Sequence, residues 1–286
     1  MPSGYSPPTT TDSIGRRFNP LPGLRITLGF TVFYLSVLVL IPIAVLVVRA
    51  AAVPPGKLLS AAFDQQARAA YAFSLWSSLA AAATNMVFGS LMAWVLVRYT
   101  FPGRRLLEGL IDFPFALPTA VAGLTLANLF SDHGWVGRYL AHVGIHGAYT
   151  PLGVIIALTF VGLPFSVRTL QPVLEEFDPL VEEAAASLGA GRMRTFLSVI
   201  APTLMPTALT GFGLAFARAL GEYGSIVFIS GNLPSTQIAP MIIVIRLDEY
   251  DYAGAMAVAI TLMAISFAVL YILNRLQGWS AKFQRI

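Results

Sequence analysis

Residues Thr195 to Ile245 read TFLSVIAPTLMPTALTGFGLAFARALGEYGSIVFISGNLPSTQIAPMIIVI, and the reading of this stretch decides the architecture. Two windows without a charged side chain, Thr195 to Ala217 and Tyr223 to Ile245, flank the short segment Arg218 to Glu222. Each window has 23 residues, and a helix needs roughly 20 to cross about 30 Å of hydrocarbon. Both cannot be full spans, because the five residues between them leave no room for a water-exposed turn. The spacing predicts one helix that starts near Pro202 or Pro206 and runs through Leu214, Arg218 and Glu222 to about Phe228. Gly231 and Pro234 then signal a break. Ile238 to Ile245 is left as a short apolar segment outside the membrane or re-entering it.

Outward from this stretch lie five more uncharged windows: Ile26 to Val48, Ala69 to Val97, Phe113 to Ser131, Gly147 to Val167 and Tyr252 to Asn274. They hold 19 to 29 residues each, so the expectation is six crossings rather than seven. Of 286 residues, 56% are hydrophobic and 11% charged. A soluble chain carries roughly 25% charged residues, so this one has too few to cover a water-exposed surface, and a soluble globular enzyme is disfavoured. The chain has no cysteine, which excludes disulfides, a thiolate nucleophile and cysteine-ligated metal.

The net charge of +4 becomes informative once it is distributed. Six spans with both ends inside place twelve basic residues on the inner side: Arg16, Arg17, Arg25, Arg98, Arg104, Arg105, Arg168, Arg192, Arg194, Arg275, Lys282 and Arg285. Five fall outside (Arg49, Lys57, Arg68, Arg138 and Arg246), and Arg218 lies within a span. Short cytoplasmic segments hold the excess Lys and Arg, so the bias orients the chain, and seven spans would break it. The inner arginines are thereby explained by topology, without nucleic-acid binding.

The domain expectation follows: a flexible cytoplasmic tail at 1–24, rich in Pro, Ser, Thr and Gly, a transmembrane domain at 25–275, and a cytoplasmic C-terminal tail at 276–286. Ala50-Ala51-Ala52 offers a small-residue cleavage site. The 23-residue first window, however, exceeds the usual signal core of about 7–15 residues and is read as an uncleaved helix.

Between spans four and five stands Asp178-Pro179-Leu180-Val181-Glu182-Glu183-Ala184-Ala185-Ala186-Ser187-Leu188-Gly189. Asp178 suits the N-cap, Pro179 the first helical position, and Glu182 and Glu183 the positive helix start. Gly189 can end the helix, and Gly191 loosens the chain before Arg192 and Arg194. The segment is either a surface helix joining two spans or a docking helix for a cytoplasmic partner, and periodicity does not choose.

Glu183-Ala184-Ala185, Gly189 and Pro202 resemble the cytoplasmic signature of bacterial ABC importer permeases, with Val199 and Ala201 at positions usually held by Ile and Leu. A closer resemblance, covering most of the chain, is to the T-subunit family of the sulfate/thiosulfate ABC permeases, which are binding-protein-dependent importers. It rests on Leu91 to Tyr99, Asp112 to Leu124 and Arg218-Ala219-Leu220-Gly221-Glu222-Tyr223-Gly224. The resemblance implies an all-α, six-transmembrane-helix type I ABC importer permease of the bacterial inner membrane, in which the helix near 178–189 couples to an ATPase. It further implies passage of sulfate and thiosulfate, a related W permease subunit, two copies of a cytoplasmic ABC ATPase, and an extracytoplasmic sulfate-binding protein. The alternatives are another oxyanion such as molybdate, or a non-transporting membrane scaffold.

No Gly-x-x-x-x-Gly-Lys-Ser/Thr loop occurs, and the chain's two lysines are Lys57 and Lys282, so ATP hydrolysis is expected on a partner chain and no catalytic residue or cofactor is assigned. Arg218 and Glu222, spaced i,i+4, form either a buried pair that fixes packing or part of the translocation path. Pro114, Pro118 and Gly123 are candidate helix-break positions in the third span, as a kink for packing or a bend beside the path. Pro164 and Pro206 carry the same ambiguity. His133, His142, His146 and Asp132 are read as loop residues without a metal-site pattern.

Overall fold

The computed structural model describes residues 23–283, with the backbone alone for Arg25 and for 276–283. Arg16, Arg17, Arg285 and nearly all of the N-terminal tail lie outside the described residues. The chain divides into two compact units at Arg49/Ala50. The first holds α1 (Leu24–Ala51) up to Arg49, uncharged from Ile26 to Val48 and with Pro42 inside it.

In the second unit every regular element among the described residues is helical: α2 (Pro55–Ala62), α3 (Gln65–Arg98), α4 (Arg104–Ala116), α5 (Thr119–Phe130), α6 (Gly137–His142), α7 (Pro151–Glu175), α8 (Pro179–Ser187), α9 (Arg192–Thr195), α10 (Ala201–Leu220), α11 (Ile226–Ile229), α12 (Ala239–Asp248) and α13 (Tyr252–Phe283). The described residues hold five helices long and apolar enough to cross a membrane, or six if the bent pair α4–α5 counts as one. This is an all-α, multi-pass membrane fold. α13 runs unbroken through most of the segment assigned to a C-terminal tail.

The starts are set locally. Asp64 caps α3 by accepting the Ala67 N–H at 2.7 Å, and Thr150 caps α7 ahead of Pro151 by accepting from Gly153. α3, α7 and α10 form the central bundle. Between them the contacts are small: a Cβ on Gly89 would fall 2.7 Å from the Ser166 Cβ, and one on Gly211 would fall 3.2 Å from the Ser166 Cα. Gly162 fits against Asn85 and Ala215 in the same way. Lipid tails are as apolar as leucine, so close backbone approach rather than water exclusion holds such helices together. Around this seam, Leu96, Val167, Leu170 and Leu174 are buried with Ile111 of α4, and Phe216 and Leu220 pack with α13.

Two expected helices are interrupted. The third span is broken, with α4 and α5 meeting at 116°. Pro118 disfavours helical backbone at the residue before it, and Leu117 is extended at φ −86°, ψ 135°. The fifth span starts earlier than expected and stops sooner. α9 and α10 run as one stretch from Arg192 to Leu220, through a π-helical turn at Phe196–Ile200. Pro202 follows that turn and cannot donate an i→i−4 hydrogen bond, so the ladder widens there, with the Ala201 N–H bonded to the Phe196 carbonyl. The helix does not continue to Phe228: it ends at Leu220, and Glu222 lies in the turn beyond it.

Candidate functional site at two facing helix breaks

The two breaks meet. A Cβ on Gly123 of α5 would fall 2.6 Å from the Ser225 Cα, and one on Gly224 would fall 3.1 Å from the Thr119 Cβ. The start of α5 and the Gly221–Ser225 turn therefore touch backbone to backbone, which side chains at these glycines would prevent. Of the residues expected at helix breaks, Pro118 and Gly123 frame this contact, while Pro114 lies inside α4 one turn before it.

Glu222 holds the turn. Its side chain is 2% exposed; Oε1 accepts from the Ser225 N–H at 2.9 Å and from the Ser225 hydroxyl at 3.0 Å, and Oε2 lies 2.5 Å from Nη1 of Arg218. Capture of the Ser225 amide by this carboxylate diverts the chain from helix into a turn, with Gly221 and Gly224 on either side. Arg218, in the last turn of α10, is a cation placed favourably for the helix dipole. Its side chain is one-third exposed, and its remaining guanidinium N–H groups have no protein partner among the described residues. Such a group can hold an oxyanion while Glu222 balances the charge within the membrane. Ser225 went unread, and Thr119 and Gly224, though within the stretches that carry the family resemblance, were given no role; the two glycines around Glu222 were the signal for a helix end.

The second group of expected residues lies elsewhere. On α8, the Asp178 carboxylate accepts the Leu180 N–H at 2.9 Å, Pro179 opens the helix, and Gly189 closes it at φ +81°. The Ala190 N–H returns to the Ala185 carbonyl at 3.0 Å, the reversal for which a left-handed glycine is favoured. Glu183, Ala184 and Gly189 are exposed, Ala185 is half-buried, and Pro202 stands apart at the start of α10. Glu182 is paired with Arg98, at the end of α3. Arg168 of α7 grips Asp112 of α4, with Nε 2.9 Å from Oδ1, and so ties the first half of the broken span to the bundle. His146 and Asp132 form an exposed contact at 2.8 Å.

Residues 85–283 match the family model for the binding-protein-dependent transport system inner membrane component. Over 256 residues the chain is 50% identical to a probable sulfate transport system permease protein cysT of Nephroselmis olivacea, covering 89% of this chain and 90% of that protein. It is 49% identical over 255 residues to the sulfate transport system permease protein CysT of Synechococcus elongatus, covering 89% and 92%. Its fold matches a chain in the crystal structure of a bacterial ABC transporter involved in the import of the acidic polysaccharide alginate, with a TM-score of 0.74 at 15% identity over 89% of this chain and 94% of that one. The chain belongs to the binding-protein-dependent inner-membrane transport components, the permease subunits of ABC-type importers, and among them to the group of the CysT proteins.

Proposed function

We propose that this permease subunit passes sulfate, and thiosulfate with it, across a bacterial inner membrane with both of its termini cytoplasmic. A related W permease subunit would complete the pathway, two copies of a cytoplasmic ATPase would drive it, and an extracytoplasmic sulfate-binding protein would deliver the substrate. The observation that carries the substrate is the 50% identity to a sulfate transport permease over nine-tenths of the chain. The Arg218 guanidinium at the facing breaks supports it, because the ends of broken helices are where membrane transporters place polar ligands.

Coupling runs through α8. ATP binding closes the ATPase dimer, the surface holding Glu183, Ala184 and Ala185 moves with it, and Gly189 and Pro202 bound the segment that carries the motion to α10. The break at Pro118 and Gly123, with Pro114 one turn before it in α4, opens and closes the path against the Arg218–Glu222 turn.

The test is reconstitution of the chain with its second permease, ATPase and binding protein in liposomes, followed by ATP-driven uptake of labelled sulfate. Sulfate is expected to enter, with thiosulfate a better competitor than molybdate. Uptake of molybdate without sulfate would overturn the substrate assignment.

A further inference from the structure

α8 buries none of its own residues, so apolar packing contributes little to its placement. A cavity of about 380 Å³ lies against it, bounded by Trp94, Glu182, Ala186, Arg192 and Phe196. The charged tie between α8 and a long helix is Arg98, the last residue of α3, paired through Nη2 with Glu182 in the first turn of α8.

That tie is stiffened by rings. The Arg98 guanidinium carbon lies 5.1 Å from the Trp94 ring centre and 5.7 Å from that of Phe177, just before α8. Trp94 meets Phe196, the first residue of the π turn, edge-on at 5.8 Å. A planar guanidinium held between aromatic faces and a carboxylate resists displacement in a way that a flexible lysine ammonium does not. Both partners are shielded, with side chains 21% and 32% exposed, so solvent and salt weaken the pair less than an open surface bridge. Successive residues on a helix point about 100° apart. Glu182 turns to Arg98, and Glu183 stays exposed without an ion pair among the described residues.

We infer that Arg98 is a positioning residue: a strut that converts displacement of α8 into movement of α3 and, through Trp94 and Phe196, of the α9–α10 span. The inference rests on the reading of α8 as the ATPase joint. Glu182 belongs to the strut, and Glu183 is left for the partner.

The chain's lack of cysteine permits a reversible test. Arg98→Cys/Glu182→Cys is assembled with cysteine-free partner subunits and bridged by a bifunctional methanethiosulfonate that a thiol reductant removes. ATP hydrolysed per sulfate imported is measured in the same proteoliposomes before and after reduction. The bridged complex is expected to match the parent within about twofold, and the reduced one to use at least about fivefold more ATP per sulfate, the lower end of typical coupling effects. A ratio unchanged by reduction would overturn the strut, and the assembled complex serves as its own control for folding. Cross-linking of Leu188→Cys, at an 89% exposed position, to the ATPase separately tests whether α8 docks there. Its success beside an unchanged ratio would sink the strut alone, and its failure would sink the joint as well.

Discussion

Gly123 of α5 lies directly against the backbone of Ser225, so that no side chain fits between the broken third span and the turn after α10. Gly123→Ala would push apart two backbones that have no flexible side chain to give way. It is expected to lower the stability of the solubilised subunit by about 1–3 kcal/mol, read as a fall in thermal midpoint. Gly109→Ala, whose Cβ would meet open space in α4, should leave the midpoint unchanged or slightly raised. Equal midpoints for the two variants would contradict the close approach.

Removal of Arg218 leaves a carboxylate that is 2% exposed with only the Ser225 donors. Arg218→Gln should therefore cost about 3–5 kcal/mol, as for other buried pairs that lose one partner. Arg218→Gln/Glu222→Gln removes both charges and should recover part of that loss, while sulfate uptake is expected to be abolished in both variants. Sulfate uptake returning together with stability would show that the pair serves packing alone.

Glu183 is exposed and has no ion pair among the described residues, so Glu183→Ala should change subunit stability by less than about 0.5 kcal/mol. Its effect should appear in the full complex, as reduced sulfate uptake and weaker ATPase retention on co-purification. Gly189→Val is a different insult: a β-branched residue at φ +81° costs about 1–2 kcal/mol locally and frays the last turn of α8. Wild-type uptake by both variants would remove α8 from the coupling route.

Asp64 has two tasks, capping α3 and neutralising Arg246, which is 6% exposed and also donates to the carbonyls of Ala61 and Gly254. Asp64→Asn keeps an acceptor for the cap and loses the charge; Asp64→Ala loses both. The alanine variant should be the less stable by about 1 kcal/mol, the worth of a cap. Thermal midpoints in detergent would separate them, and equal values would show that the cap contributes nothing.

The long helices were legible because the bilayer imposes a length and forbids charge, both of which can be counted along the chain. The broken third span was legible as a weakness at Pro114, Pro118 and Gly123 but not as a 116° bend, since the angle depends on what Gly123 packs against. Arg218 and Glu222 meet, but not along a continuing helix. Their i,i+4 spacing suggested a continuing helix, whereas Glu222 takes the Ser225 amide and stops it. Arg98 and Glu182, 84 positions apart, share no local pattern at all, and only folding brings them together.

The π turn at Phe196–Ile200 holds one residue more than an α-helical ladder would need there. Each helical residue advances about 100° around the axis. Arg192 and Arg194 are thus presented at a rotation that an uninterrupted α-helix from α10 would not give, and deletion of a single residue within the turn would swing both guanidinium groups to another side. The facing of that end of the span is a matter of phase, counted in residues, and Pro202 is what holds the count.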